Sequence, residues 1–142
     1  MFYNYLTQAH EGIVDNVLSS FALLAASHLA QPVFDLGVLE AARKAMADFP
    51  GIVSFAETMC ELVAVFTETD ALRRASAISN GYTQTVLDAL TVWGTEGYGS
   101  TVAELGLSAL STLALEASHV QTMVDMGVLD TVESSLPCAD HG

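Results

Sequence analysis

The sequence has very few cationic side chains. Four Lys and Arg residues stand against 17 Asp and Glu residues, which gives a formal net charge of -13. Nucleic-acid binding depends on cationic side chains that neutralise phosphates, so this balance argues against a nucleic-acid partner. Direct docking on an anionic membrane is disfavoured for the same reason.

Cysteine and long apolar runs are also scarce. The two cysteines, Cys60 and Cys138, do not make a disulfide framework, and no signal peptide is recognisable, so we expect a cytoplasmic location. Residues 16–34 lack charge but contain several Ser, Asn and Gln side chains, which are costly in hydrocarbon. This stretch predicts a core helix that runs into a turn, with no insertion into a membrane.

Signatures of catalysis are missing as well. The sequence has no phosphate-binding glycine loop, HExxH, CxxC or GxSxG. Only Cys138 and His141 have the spacing of metal ligands on one helix, and two ligands do not make a structural zinc site. Cys60 is interpreted as a small packing residue, because no base is evident near it. We therefore predict a protein that is not an enzyme and has no metal or cofactor.

What the chain does have is apolar content and a repeat. Apolar residues make up 51% of it and charged residues only 15%, which excludes intrinsic disorder and favours a large core. Similar short segments are centred on Gly37, Gly81 and Gly127, which are 44 and 46 residues apart. Each glycine is expected to end one helix and start the next. The residues two, five and nine positions after each glycine lie on one helical face and are mostly apolar, with Thr83 as the exception.

The predicted unit contains three helices. Short helices are expected around 28–36, 71–80 and 117–126, each before a glycine, and a medium helix is expected after it. Longer helices with apolar spacing near 3.6 complete the units: Val14, Val17, Phe21 and Leu24; Val53, Ala56, Met59, Leu62, Val63 and Phe66; Val102, Leu105, Ala109, Leu110 and Leu113. No segment alternates like a half-buried strand.

This pattern resembles the armadillo repeat, most closely over residues 107–136. Residues 107–114 are similar to the family's long third helix, 117–127 to its first helix and glycine, and 128–132 to the start of its second helix. The resemblance implies an all-α fold, a short right-handed α-solenoid of three-helix repeats. The alternatives are the two-helix HEAT repeat and an irregular helical bundle.

The same register predicts the domain organisation. Residues 1–137 form a single repeat domain, with a partial repeat at 1–27, complete repeats at 28–68 and 69–115, and a partial repeat at 116–137. Residues 2–8 are expected to form a helix, and 138–142 a flexible tail. The unfinished last repeat is predicted to leave Val128, Val132 and Leu136 uncovered for a larger partner or a second copy.

Armadillo proteins hold extended peptides along a concave groove formed by their third helices. The tryptophan and asparagine positions of importin-like members fall here at Ser19 and Leu23, Cys60 and Ala64, and Ser108 and Thr112; none of them matches, so recognition of nuclear localisation signals is not implied. Acids stand nearby on the same helices. The predicted concave-face residues are Asp15, Ser19, Glu57, Cys60, Glu61, Glu104, Ser108 and Thr112. Their carboxylates would attract a basic segment, or would simply keep an apolar domain in solution.

Together these features predict a protein–protein interaction module, an accessory or scaffold subunit. The alternative is a helical small-molecule binder or enzyme with a pocket among Phe2, Tyr3, Tyr5 and Phe21. The segment from Arg73 to Ser76 has the pattern of a basophilic kinase site. The preferred interpretation is that its two arginines meet acidic neighbours on the next repeat, because a helix would hide Ser76 from a kinase.

Overall fold

The computed structural model describes residues 11–94 and 100–135. These residues form helices joined by short turns, with no strand among them, so the all-helical prediction is confirmed for this part of the chain. The expected helix at residues 2–8 and the tail at 138–142 lie outside it. In chain order the described helices are α1 (Glu11–Ala25), α2 (Ala30–Asp35), α3 (Val38–Asp48), α4 (Val53–Glu68), α5 (Ala71–Ser79), α6 (Tyr82–Trp93), α7 (Ser100–Leu113), α8 (Ala117–Asp125) and α9 (Val128–Ser135).

The three repeated glycines separate a short helix from the helix that follows. Gly37, Gly81 and Gly127 have φ angles of 82°, 80° and 91°, in the left-handed region that L side chains rarely adopt. A Cβ atom at any of them would meet nothing within 4 Å. Backbone conformation, and not lack of space, therefore accounts for glycine at these three turns.

The core is centred on α4, which packs against α1, α3, α5, α6 and α7. Phe55, Met59, Leu62 and Phe66 are fully buried along one face of it, and Ala56, Cys60 and Val63 are fully buried on a second face. A helix that is apolar around most of its circumference is stable only when neighbours cover it on several sides. This central position accounts for much of the high apolar content.

Helices α6 and α7 approach each other closely at Gly106. A Cβ atom there would lie 2.6 Å from Cδ2 of Leu90, whose side chain is almost fully buried. The glycine therefore allows a contact between the two helices that a larger residue would prevent.

The end of α4 is capped by two arginines of α5. The Nε atom of Arg73 donates to the carbonyl oxygen of Phe66 at 2.9 Å, and that of Arg74 donates to the carbonyl of Thr67 at 3.1 Å. The last carbonyls of a helix have no partner within the helix, so these bonds satisfy groups that burial would otherwise penalise. The expectation that both arginines meet acidic neighbours on the next repeat was wrong: they bind backbone carbonyls of the preceding helix. Arg73 also donates to Gln31 at 2.7 Å.

None of the described helices combines the length and the apolar character needed to cross a membrane.

Candidate functional site

Helices α1 and α4 bring three predicted concave-face acids together. Asp15 lies on α1, and Glu57 and Glu61 lie one turn apart on α4. Burial raises the pKa of Glu57, and the neighbouring Asp15 and Glu61 carboxylates raise it further. The Ser54 hydroxyl donates a hydrogen bond to Asp15 across the same contact between helices. We call Asp15, Glu57 and Glu61 the acidic ridge.

No lysine or arginine of the described residues pairs with the acidic ridge. Arg43 pairs with Glu40 on α3, and Arg73 pairs with Asp70 at the start of α5. The ridge therefore holds three like charges close together without a cation of its own, which is unfavourable unless a partner supplies one. All three side chains are partly exposed, so a partner can reach them.

Two of the predicted concave-face residues belong to the core and have to be withdrawn. Cys60 is fully buried, and burial raises the pKa of its thiol to about 12, so it is a packing residue with no thiolate at neutral pH. Thr112 is also buried, and its Oγ1 atom lies 2.7 Å from that of Thr67. Neither side chain can contact a partner from these positions.

The remaining concave-face residues are exposed. Ser19 lies on α1, and Glu104 and Ser108 lie one turn apart on α7. Their side chains are accessible to a partner, but the carboxylates that interact with Glu57 are those of the ridge alone. Glu104 is therefore a separate acid on the next long helix.

The residues exposed at the predicted open end are not the ones that the sequence predicted. Val128 is buried, Val132 is half-buried against the core, and Leu136 lies outside the described residues. The exposed apolar side chains at this end are Val120 and Val124 on α8 and Leu129 on α9. We call these three residues the terminal face.

Leu129 differs from its equivalents in the other units. It stands two residues after Gly127, as Leu39 and Thr83 stand after Gly37 and Gly81. Leu39 is 4% exposed and Thr83 is 2% exposed, whereas Leu129 is 65% exposed. Leu129 on the terminal face is thus the exposed counterpart of positions that are buried in the two other units.

Of the four residues of the alternative aromatic pocket, one lies among the described residues. Phe2, Tyr3 and Tyr5 lie outside the described residues, and Phe21 is half-buried. A separate groove of about 260 Å³ lies between α6 and α9. Its lining consists of Leu90, Thr91, Asp130, Thr131, Ser134 and Ser135, which includes one carboxylate and no aromatic ring.

Within residues 11–94 and 100–135, no three histidine, cysteine, aspartate or glutamate side chains are grouped so that they could hold a metal ion. Cys138 and His141 lie beyond the described residues.

Comparison of the chain with protein-family models, with curated proteins and with solved structures finds no match in any of the three. Function therefore has to be inferred from the residues of this chain.

Proposed function

We propose that this protein is a non-enzymatic protein–protein interaction module, built as a short armadillo-like α-solenoid, whose acidic ridge engages a Lys/Arg-rich segment of a protein partner. As an accessory or scaffold subunit in the cytoplasm, it would contribute binding to a larger assembly and no chemistry. The observation that carries the proposal is the ridge itself: three partly exposed carboxylates on two adjacent long helices, without a lysine or arginine of the chain to pair with them.

Contacts between successive units support the solenoid. The long helices follow one another, with α4 packed against α1 on one side and α7 on the other. Polar contacts also join neighbouring units: the guanidinium of Arg43 lies 4.4 Å from the ring centre of Tyr82, and Thr83 bonds His119. Units that bury their faces mainly against their neighbours are the defining property of a helical repeat array.

The charges of the ridge explain why the partner segment should be basic. The Asp15 and Glu61 carboxylates make the ionised form of Glu57 less favourable, so an approaching ammonium or guanidinium group relieves that repulsion and is attracted by all three charges. The excess of acids over the whole chain adds a long-range attraction that speeds capture. Both effects weaken as salt is added.

The test measures binding of a fluorescent peptide with six lysines spaced by Gly and Ser. We expect the variant Asp15→Asn/Glu57→Gln/Glu61→Gln to bind it about tenfold more weakly or worse, because each lost charge–charge contact costs a fraction of a kcal/mol or more. The matched control is Asp35→Asn/Glu68→Gln/Asp88→Asn, which removes the same charge from three other exposed positions.

The control variant should bind within about twofold of the unaltered chain, since its ridge is intact. An equal loss of affinity in the two variants would mean that peptide binding depends only on the net charge of the protein, and the proposal would then be wrong.

A further inference from the structure

The terminal face can be compared with the equivalent surfaces of the first and second units. In the second unit, the position equivalent to Leu129 is Thr83, and its hydroxyl lies 2.9 Å from Nε2 of His119 on α8. In the first unit, α3 reaches the next unit through Arg43, which donates to the carbonyl oxygen of Asn80 at 2.9 Å. Each of these surfaces is thus covered by helical segments of the next unit.

The terminal face differs from the first unit in the sign of one charge. Three and six residues after Gly37 stand Glu40 and Arg43, and the Arg43 guanidinium interacts with Glu40 and with the Tyr82 ring. At the same distances after Gly127 the chain has Asp130 and Glu133, both exposed.

At the position where α3 has Arg43, which contacts the next unit, α9 therefore has a second acid, Glu133. Asp125 at the end of α8 is exposed as well. No lysine or arginine follows Arg74 anywhere in the sequence, so the unit that contains these acids has no lysine or arginine of its own.

We propose that the terminal face docks an amphipathic helix of a partner protein whose apolar stripe is bordered by Lys or Arg residues. Val120 and Val124 lie one turn apart on α8 and Leu129 is the second residue of α9, so together they offer a short apolar strip to side chains spaced like those of a helix. The flanking Asp125, Asp130 and Glu133 match the basic borders.

A second copy of this chain fits the terminal face less well. Both copies would carry a net charge of -13, and the four cations of the chain, Arg43, Lys44, Arg73 and Arg74, lie on α3 and α5 and not on the helices of the terminal face. Like charges would thus meet at the terminal face without compensation.

The inference rests on the proposed role as an interaction module, but it uses a different surface from the acidic ridge. The probe is an 18-residue helical peptide of Leu and Lys with one apolar stripe, compared with a Leu/Glu peptide of the same pattern and a scrambled Leu/Lys peptide. The protein variants are Val124→Gln/Leu129→Gln and, as a matched control, Leu23→Gln/Leu72→Gln, which alters two other exposed leucines.

We expect the patterned Leu/Lys peptide to bind and to gain helical circular dichroism on binding. Its Kd should rise by about tenfold or more in Val124→Gln/Leu129→Gln and stay within about twofold in the control, because buried apolar contacts dominate such interfaces. The Leu/Glu and scrambled peptides should bind about tenfold more weakly or worse. Circular dichroism and thermal unfolding of the four proteins verify that they are folded.

The inference would be overturned if the three peptides bound equally or if the two double variants lost equal affinity for the Leu/Lys peptide. It would also be overturned if the unaltered chain formed a dimer that Val124→Gln/Leu129→Gln dissociates. Loss of Leu/Lys binding only in Asp15→Asn/Glu57→Gln/Glu61→Gln would place the peptide on the acidic ridge; the terminal-face inference would then fail while the proposed function stands. Normal binding of the Leu/Lys peptide by that ridge variant, together with no binding of the flexible lysine peptide to the unaltered chain, would contradict the proposed role of the acidic ridge. The terminal-face inference would then stand.

Discussion

The Oγ1 atom of Thr83 lies 2.9 Å from Nε2 of His119, in a buried hydrogen bond that joins α6 to α8. The two residues belong to successive units, and each is more than nine-tenths buried. Burial lowers the pKa of His119, and the Glu116 carboxylate opposes that shift only in part. The contact between these units therefore favours the neutral imidazole.

The stability of the protein should fall in mildly acidic solution because of His119. Its pKa is lower in the folded than in the unfolded chain, so the unfolded chain binds the proton more tightly. The contribution of His119 is fully present above the ordinary histidine pKa of about 6.5 and is lost as the pH falls below it. Urea unfolding of His119→Gln between pH 7.5 and 5 should show a shallower pH dependence than the unaltered chain. His28→Gln, which alters an exposed histidine, should retain the original slope; identical slopes in all three proteins would contradict the prediction.

Removing the charge of Glu57 should stabilise the protein at neutral pH. The pKa of Glu57 is raised, so the folded state binds its proton more tightly, and the ionised carboxylate is unfavourable above that pKa. Glu57→Gln should therefore have a higher Tm than the unaltered chain at pH 7, and the difference should shrink as the pH falls below the folded-state pKa and disappear below the ordinary glutamate pKa of about 4.3. Glu104→Gln makes the same change in net charge at an exposed site and should raise the Tm less. A gain of the same size in both variants would assign the effect to overall charge.

Substitution of Gly106 should loosen the contact between α6 and α7. Gly106→Ala places a methyl group against Leu90, and overpacking of this kind costs about 1–3 kcal/mol. Alanine's higher helix propensity offsets about 1 kcal/mol of that cost. The difference between these two contributions is centred on about 1 kcal/mol, and we expect the free energy of unfolding to fall by about that amount in denaturant titrations. Gly51→Ala, where the new atom would meet nothing within 4 Å, should cause little change, and unaltered stability in both variants would disprove the close approach.

The turn at Gly81 should depend on the left-handed backbone conformation. Gly81→Ala should lower the free energy of unfolding by about 1–2 kcal/mol, which is the penalty for an L side chain at positive φ. Gly81→Asn should lower it less, since asparagine tolerates this conformation better than alanine does. Chemical denaturation measures both, and equal losses from Ala and Asn would indicate that something other than φ is responsible.

The helices and their glycine turns could be predicted from the sequence because both are local properties. The spacing of apolar residues and the three glycines placed the short helices within about two residues of their observed ends, which is the usual uncertainty of helix boundaries. The acids of α1 and α4 interact in the structure, and their membership of a concave binding face stays a prediction.

Burial by neighbouring helices could not be predicted in the same way. Periodicity shows that Cys60, Thr112 and Leu129 occupy particular helical faces, but not which neighbour covers each face. Cys60 and Thr112 were assigned to the concave face and are buried, which for Cys60 agrees with its other interpretation as a packing residue, while Leu129 has the pattern of a buried position and is exposed. The two arginines of α5 were misjudged for a related reason, because backbone carbonyls at a helix end leave no trace in a sequence.

A charge-exchange experiment tests the proposed binding of a basic segment most directly. The Kd values are measured for four combinations: the unaltered chain or Glu57→Lys/Glu61→Lys, each with the six-lysine peptide or its glutamate counterpart. Because opposite charges attract and like charges repel across an interface, we expect tight binding only in the two combinations of opposite charge, with differences of about tenfold or more. Binding that is unaffected by the reversal, or failure of the reversed protein to prefer the glutamate peptide, would contradict the proposal that the acidic ridge recognises a basic partner.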